Sequence, residues 1–156
     1  MRFGIIGTGK IGAIRIATIK AHPELELAAV YDRSKVVAER AAAGTGAKVC
    51  PDVATLLDCG LDAVVVSTPH FVHRELCVAA FERGLHVLCE KPLAHTVEDA
   101  AAIVTAAKKA GRVLALGFNL RYYPMVKFAR QAVDDGLIGN ITHIRVLGGH
   151  DGIYKF

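Results

Sequence analysis

Short apolar runs alternate along this chain with longer segments of helical periodicity. Runs at 2–6 (RFGII), 25–31 (LELAAVY), 63–67 (AVVVS), 86–89 (HVLC) and 113–117 (VLALG) carry Val, Leu, Ile and Ala on consecutive positions. Strict alternation would mark a strand with one wet face, whereas consecutive apolar positions mark strands covered on both faces of a parallel sheet. Six strands are predicted: Arg2–Ile6, Leu25–Tyr31, Lys48–Cys50, Ala63–Ser67, His86–Cys89 and Val113–Gly117. Helical patterns fill the gaps at Ile11–Ala21, Ser34–Ala43, Val53–Asp58, Val72–Arg83 and Val97–Ala110. Ser34 and Thr96 stand at N-cap positions, Thr96 with Asp99 three residues on as in a capping box. Gly44, Gly84 and Gly111 stand where helices stop. This order predicts the α/β class and a complete doubly wound parallel sheet.

Beyond residue 120 the pattern changes. Pro124–Asp135 reads as one more helix, closed by Gly136, and Leu137-Ile138-Gly139-Asn140 reads as a turn. Ile141–Leu147 alternates as a seventh strand, and Gly148-Gly149 opens a loop. The completed sheet offers that strand no place. The expected organisation is a nucleotide-binding domain over 1–120, then a crossover helix and the first strand of an otherwise absent substrate and oligomerisation domain over 121–156. Unpartnered apolar positions at Ile141, Ile144, Val146 and Leu147 present an edge for pairing, so homo-oligomerisation through residues 138–156 is expected.

Composition narrows the picture further. At 156 residues with 53% hydrophobic and 22% charged positions, the chain has material for one buried core. No apolar stretch reaches the roughly 18 residues of a membrane span, and a strand occupies the place of a signal peptide, so a cytoplasmic protein without a membrane partner is expected. Cys50, Cys59, Cys77 and Cys89 show neither CxxC nor zinc spacing and read as buried thiols in a reducing compartment. No metal site is expected. Residues 1–99 hold 11 Lys/Arg against 12 Asp/Glu, and the remainder holds 8 against 3. That basic excess includes Lys108, Lys109 and Arg112 at the end of a helix, where cations favour the dipole. Without aromatic interleaving it does not predict nucleic-acid binding.

The candidate chemistry gathers at strand ends. Gly7-Thr8-Gly9-Lys10-Ile11-Gly12 matches G-x-G-x-x-G, follows a strand, opens a helix, and precedes Asp32 by twenty residues. In that context Gly7 allows the tight turn, Gly9 lets backbone approach a pyrophosphate, and Gly12 lets helix and strand pack closely. The helix N-terminus then receives the phosphates, making this a Rossmann dinucleotide site. Asp32 would accept hydrogen bonds from the adenosine ribose and repel a 2′-phosphate, favouring NAD, with NADP possible because Arg33 could pair with that phosphate. Arg33 reads equally as a solvated charge or a plane stacked on adenine. Ser67-Thr68-Pro69-His70 and Glu90-Lys91-Pro92 follow the fourth and fifth strands at the same edge. His73, one turn on, reads as a capping or surface residue. Lys91 reads either as a surface lysine or as a group meeting a substrate hydroxyl beside the nicotinamide.

Taken together, these residues resemble the Gfo/Idh/MocA family, named for glucose–fructose oxidoreductase and inositol dehydrogenase. The matching stretches are Gly7 to Gly12, Asp32-Arg33, Ser67-Thr68-Pro69 with His73, Glu90-Lys91-Pro92, and Gly117 to Pro124 with Asn119 and Arg121. The resemblance implies NAD(P)-dependent hydride transfer to or from a secondary alcohol of a sugar, cyclitol or related compound. It implies that Lys91 holds the reacting hydroxyl and that Thr68, Pro69 and His73 line the nicotinamide end. Asn119 and Arg121 match a segment under the cofactor. Where this chain has His70, family members usually carry Asn. They also run to more than twice this length, with a downstream Asp and His, and the substrate would bind through that further domain. Gly148-Gly149 and Asp151-Gly152 are similar to glycine-rich pieces of that half. The alternatives are a stand-alone NAD(H)-binding module or sensor, and a non-redox enzyme on the same scaffold.

Overall fold

Consecutive buried positions on a strand can be accommodated only if helices cover both faces of the sheet. The computed structural model, which describes residues 1–147, has that arrangement. Its strands are β1 (Arg2–Ile6), β2 (Glu26–Tyr31), β3 (Lys48–Val49), β4 (Ala63–Val66), β5 (His86–Cys89) and β6 (Leu114–Leu116). All pair in parallel in the order β3-β2-β1-β4-β5-β6, the doubly wound order expected. Between them run α1 (Lys10–Ala21), α2 (Lys35–Ala42), α3 (Val53–Leu57), α4 (His73–Glu82) and α5 (Val97–Ala110).

Each strand feeds both faces. Ile5, Val30 and Val65 pack with Ile16 and Ile19 of α1 and Ala38 of α2. Their sequence neighbours Ile6, Ala29, Val64 and Val66 face the other way, among Leu56 of α3, Leu76, Ala80 and Phe81 of α4, and Ile103 of α5. Ile5 and Ile6 are both fully buried, each stabilising the fold by roughly 1.5–3 kcal/mol relative to exposure. The hydrophobic runs are therefore the core of two layers at once.

Helix ends follow the expected chemistry at one cap and depart from it at another. The Thr96 hydroxyl accepts from the Asp99 amide at 3.1 Å, and Gly111 closes α5 at φ 62°. The reciprocal half of a capping box is missing, because the Asp99 carboxylate accepts from Arg74 at 2.9 Å instead. Ser34 occupies the N-cap of α2 without a side-chain bond. Its amide donates to Asp32 Oδ1 at 2.9 Å, so Asp32 governs that corner. Replacing Thr96 with Ala should cost about 1 kcal/mol, lowering the thermal midpoint by about 2–4 °C. Ser34→Ala should leave the midpoint nearly unchanged. Calorimetry of both variants checks the contrast.

The chain divides into two compact units, Met1–Phe118 and Asn119–Phe156, a boundary two residues before the one read from sequence. Within the second, a 3-10 turn (Asn119–Tyr122) leads into α6 (Pro124–Asp134), with proline in its first turn. The expected seventh strand does not form over residues 141–147. Alternating apolar residues supply only one side of a ladder, and among the described residues no second strand pairs with them. Gly148-Gly149 and Asp151-Gly152 lie outside the described residues, as does the part of the stretch expected to self-associate that follows residue 147. Among the described residues no helix is long and apolar enough to cross a membrane.

Candidate functional site

The strand register builds the site. Ile6 lies opposite Tyr31 and Val66, Val66 opposite Cys89, and Cys89 opposite Leu116. The residues one step beyond therefore share a row: Asp32, Gly7, Ser67, Glu90 and Gly117. Backbone bonds carry the ladder into that row, from Gly7 to Tyr31 (2.8 Å), Ser67 to Ile6 (2.8 Å), Glu90 to Val66 (2.9 Å) and Gly117 to Cys89 (2.8 Å). Its centre is the gap between β1 and β4, where the chain's winding reverses and open α/β sheets bind ligands.

Three glycines face three different constraints. Gly7 adopts φ 89°, and a Cβ there would lie 2.9 Å from the Ser67 carbonyl. At Gly12 a Cβ would meet the Gly7 carbonyl oxygen at 2.1 Å, so helix and turn can pack this closely only without a side chain. Gly9, at the N-cap of α1, has nothing within 4 Å of its Cβ position. The protein makes no use of that space. A phosphate approaching the helix N-terminus would use it.

Asp32 does more than end β2. Its Oδ2 accepts from the Thr8 amide at 2.8 Å and the Thr8 hydroxyl at 3.2 Å, while Oδ1 accepts from Ser34. The carboxylate thus ties the glycine turn to the second strand and keeps acceptor capacity on Oδ1 for a ribose hydroxyl. Across the gap, Ser67 Oγ and Thr68 Oγ1 are buried with no hydrogen-bond partner among the described residues. Buried hydroxyls without partners are uncommon and point to a bound molecule. Open space at Gly9, a fixed anion at Asp32 and two orphaned hydroxyls fit a dinucleotide. Lys10 and Ile11 sit exposed on the first turn of α1, and Arg33 is exposed beside Asp32.

The β5 end carries a second cluster. Glu90 is buried, at 8% exposure, and Oε1 accepts from Arg15 Nε at 2.8 Å and from Arg15 Nη2. A Cβ on Gly117 would lie 2.5 Å from Glu90 Oε2, so the absent side chain leaves room for the carboxylate. Arg15 was not anticipated from the sequence. Lys91 follows, exposed, before Pro92.

His73 does not lie at the surface, where a capping or surface residue was expected. It is fully buried. Nε2 lies 2.9 Å from the Thr68 carbonyl oxygen, and Nδ1 lies 3.1 Å and 3.2 Å from those of Pro92 and Leu93. Cys89 Sγ lies 3.2 Å from Nδ1. With no exposed surface, the ring links the loops after β4 and β5 from beneath, and it is those loops that reach the site. Burial pushes the imidazole pKa down, but the Cys89 hydrogen bond and charge and the Thr68 and Leu93 carbonyls outweigh it, holding it above the ordinary value. A hydrogen bond from Cys77 lowers Cys89, burial opposes this, and His73 adds to the lowering, bringing it to about 6. Cys77 is pushed up in turn by its bond to Cys89 and by burial.

The remaining expected residues lie at the margin. Pro69 is exposed, and His70 stacks on His95 with ring centroids 5.3 Å apart, joining the same two loops at the surface. Asn119 and Arg121 fall on the 3-10 turn of the second unit. Cys50 and Cys59 approach to 3.7 Å as free thiols, Cys50 pushed up to about 11 by burial and by Cys59. Cys59 is only partly buried. Among the described residues no group of His, Cys, Asp or Glu could hold a metal ion.

Residues 1–118 match the family described as "Oxidoreductase family, NAD-binding Rossmann fold" (GFO_IDH_MocA). The chain is 32% identical over 145 residues to glucose-6-phosphate 3-dehydrogenase of Bacillus subtilis (strain 168), covering 93% of the chain and 41% of that enzyme. It is 31% identical over 146 residues to inositol 2-dehydrogenase of Rhizobium meliloti (strain 1021), covering 94% and 44%. Among solved structures it is similar to the WlbA dehydrogenase of Bordetella pertussis in complex with NADH and UDP-GlcNAcA, with TM-score 0.85 and 30% identity over 89% of this chain and 41% of that one. The chain thus spans less than half the length of these relatives.

Proposed function

We propose, from the premise that this chain belongs to the Gfo/Idh/MocA oxidoreductase family, that it is the cofactor-holding part of an enzyme transferring hydride between a nicotinamide dinucleotide and a secondary alcohol of a sugar, cyclitol or related polyol. The observation that carries this reading is the convergence at the β1/β4 gap of an open Gly9, a fixed Asp32 and the unpartnered hydroxyls of Ser67 and Thr68. A bound dinucleotide supplies the hydride acceptor or donor. The protein supplies placement: the α1 N-terminus and the Gly7–Gly12 turn for the diphosphate, Asp32 for the ribose, and Ser67 and Thr68 for the far end. Asp32, an anion already anchored on both oxygens, would repel a 2′-phosphate, which favours NAD over NADP.

Lys91, on the strand end next to this row, is the candidate catalytic residue. Its ammonium would hold the reacting hydroxyl and stabilise negative charge as the proton leaves. Titrating the chain with NADH and following nicotinamide fluorescence tests the reading. Saturable binding is expected, weaker for NADPH, and no saturable signal at millimolar NADH overturns it. Lys91→Ala should leave NADH affinity within about threefold, since its charge is assigned to the substrate and not to the diphosphate. In a form of the protein that turns over a cyclitol or sugar, the same change should lower kcat by about a hundredfold or more. A substrate that loses a group without net formation of NADH would refute the redox assignment.

A further inference from the structure

Three acceptors converge on one buried ring. The carbonyl oxygens of Thr68, Pro92 and Leu93 can only accept hydrogen bonds, and they face both nitrogens of His73 at 2.9–3.2 Å. A neutral imidazole carries one proton. Whichever nitrogen lacked it would turn a lone pair toward a carbonyl lone pair inside the protein, where such repulsion is barely screened. A ring protonated on Nε2 alone could accept the Cys89 S–H at Nδ1, but it would still turn that lone pair on the Pro92 and Leu93 carbonyls. All three carbonyls are served only when both nitrogens donate, which makes the ring a cation. A cation with no exposure to water requires a counter-charge. The Cys89 sulfur, 3.2 Å from Nδ1, is the acidic group in direct contact with it.

We propose that His73 and Cys89 form a buried imidazolium–thiolate pair that positions Thr68 and Lys91, the two strand-end residues between which nicotinamide and reacting hydroxyl would meet. The proton moves from Cys89 Sγ to His73 Nδ1, so the pair as a whole stays neutral. Nδ1–H then serves the sulfur and the Pro92 and Leu93 carbonyls, directly after Lys91, while Nε2–H serves Thr68. Around the pair, α4 contributes the Cys77 thiol, which donates to the thiolate, and the end of β5 contributes the Glu90 carboxylate, whose charge opposes it. The loops after β4 and β5 contribute backbone carbonyls, and those of Glu90 (3.5 Å) and Leu93 (3.9 Å) also approach the sulfur, long contacts that the thiolate form gives up for the shorter one to Nδ1. Arg15 offsets much of the Glu90 charge. The positioning role rests on the function proposed above, whereas the charge state of the pair does not.

The test begins with the unmodified chain and no cofactor. Nitrogen-15 NMR of the His73 ring should show both nitrogens protonated at neutral pH and still so above the ordinary histidine pKa of about 6.5. A bare ring nitrogen at neutral pH overturns the pair. Cys89→Ser, which removes the ionisable sulfur while keeping a small polar group, should lower the ring's proton affinity about tenfold or more. An unchanged titration would likewise refute the pairing. In the same variant NADH affinity should fall about threefold to tenfold, and as pH rises through the His73 pKa the unmodified chain should lose affinity in the same proportion. Retained affinity in both cases, with the ring shown to be charged, would overturn the positioning role. Failure of the unmodified chain to bind NADH at all would refute the function proposed above and leave the NMR result to decide the pair.

Discussion

Gly9→Val should weaken NADH binding by about a hundredfold or more, about 2.8 kcal/mol, in a protein that still folds. The two halves of that expectation have separate causes. Among the described residues a Cβ at Gly9 meets no atom within 4 Å, so the fold has room for the side chain. The fold loses only a good N-cap residue, about 1 kcal/mol, and a few degrees of thermal midpoint. The added methyl groups, however, occupy the approach to the α1 N-terminus, where backbone and diphosphate must come into contact. Gly12 could not serve for this experiment. There a Cβ would overlap the Gly7 carbonyl at 2.1 Å, and lost binding would report a displaced helix. Calorimetric titration alongside thermal unfolding separates the two effects. Unchanged affinity would show that the turn does not hold the phosphates, and a collapsed midpoint would show that Gly9 is structural.

How much of this could be read from the sequence varied with the range of the interaction. Elements whose cause is local came out with their true bounds: β1, β5 and α5 match residue for residue, because a run of buried positions or a Thr96 cap with Gly111 needs only near neighbours. The glycine spacing likewise identified the turn, since backbone sterics act within the motif. Asp32 was legible as a candidate ribose ligand but not as the anchor of Thr8 and Ser34, because two acceptor roles leave the same mark on a sequence. His73 was misread as a surface or capping group. Its partners are carbonyl oxygens, which every residue has, so no side-chain pattern announces them. Residues 141–147 show the opposite error, in which alternation was present but no strand among the described residues pairs with it to make a ladder.

Arg15 is the clearest instance of a contact no local pattern could disclose, since its partner Glu90 lies 75 residues away. Arg15→Ala should cost about 2–3 kcal/mol of stability, a fall of roughly 5–10 °C in thermal midpoint for a chain this size. The loss comes less from the attraction removed than from the carboxylate left behind. Glu90 is held among β5, α1 and Gly117 with 11% of its side chain exposed, too little for water to replace the guanidinium. The remaining 23% exposure of Arg15 keeps the figure below the 3–5 kcal/mol of a fully buried pair. Neutralising the stranded acid should recover much of the loss. Arg15→Ala combined with Glu90→Gln should be more stable than Arg15→Ala alone, a non-additivity of about 1 kcal/mol or more. Additive losses would mean that the two side chains act independently. Because the pair connects the helix assigned to the diphosphate with the strand end that carries Lys91, the single variant should also weaken NADH binding, and the double variant should recover part of it.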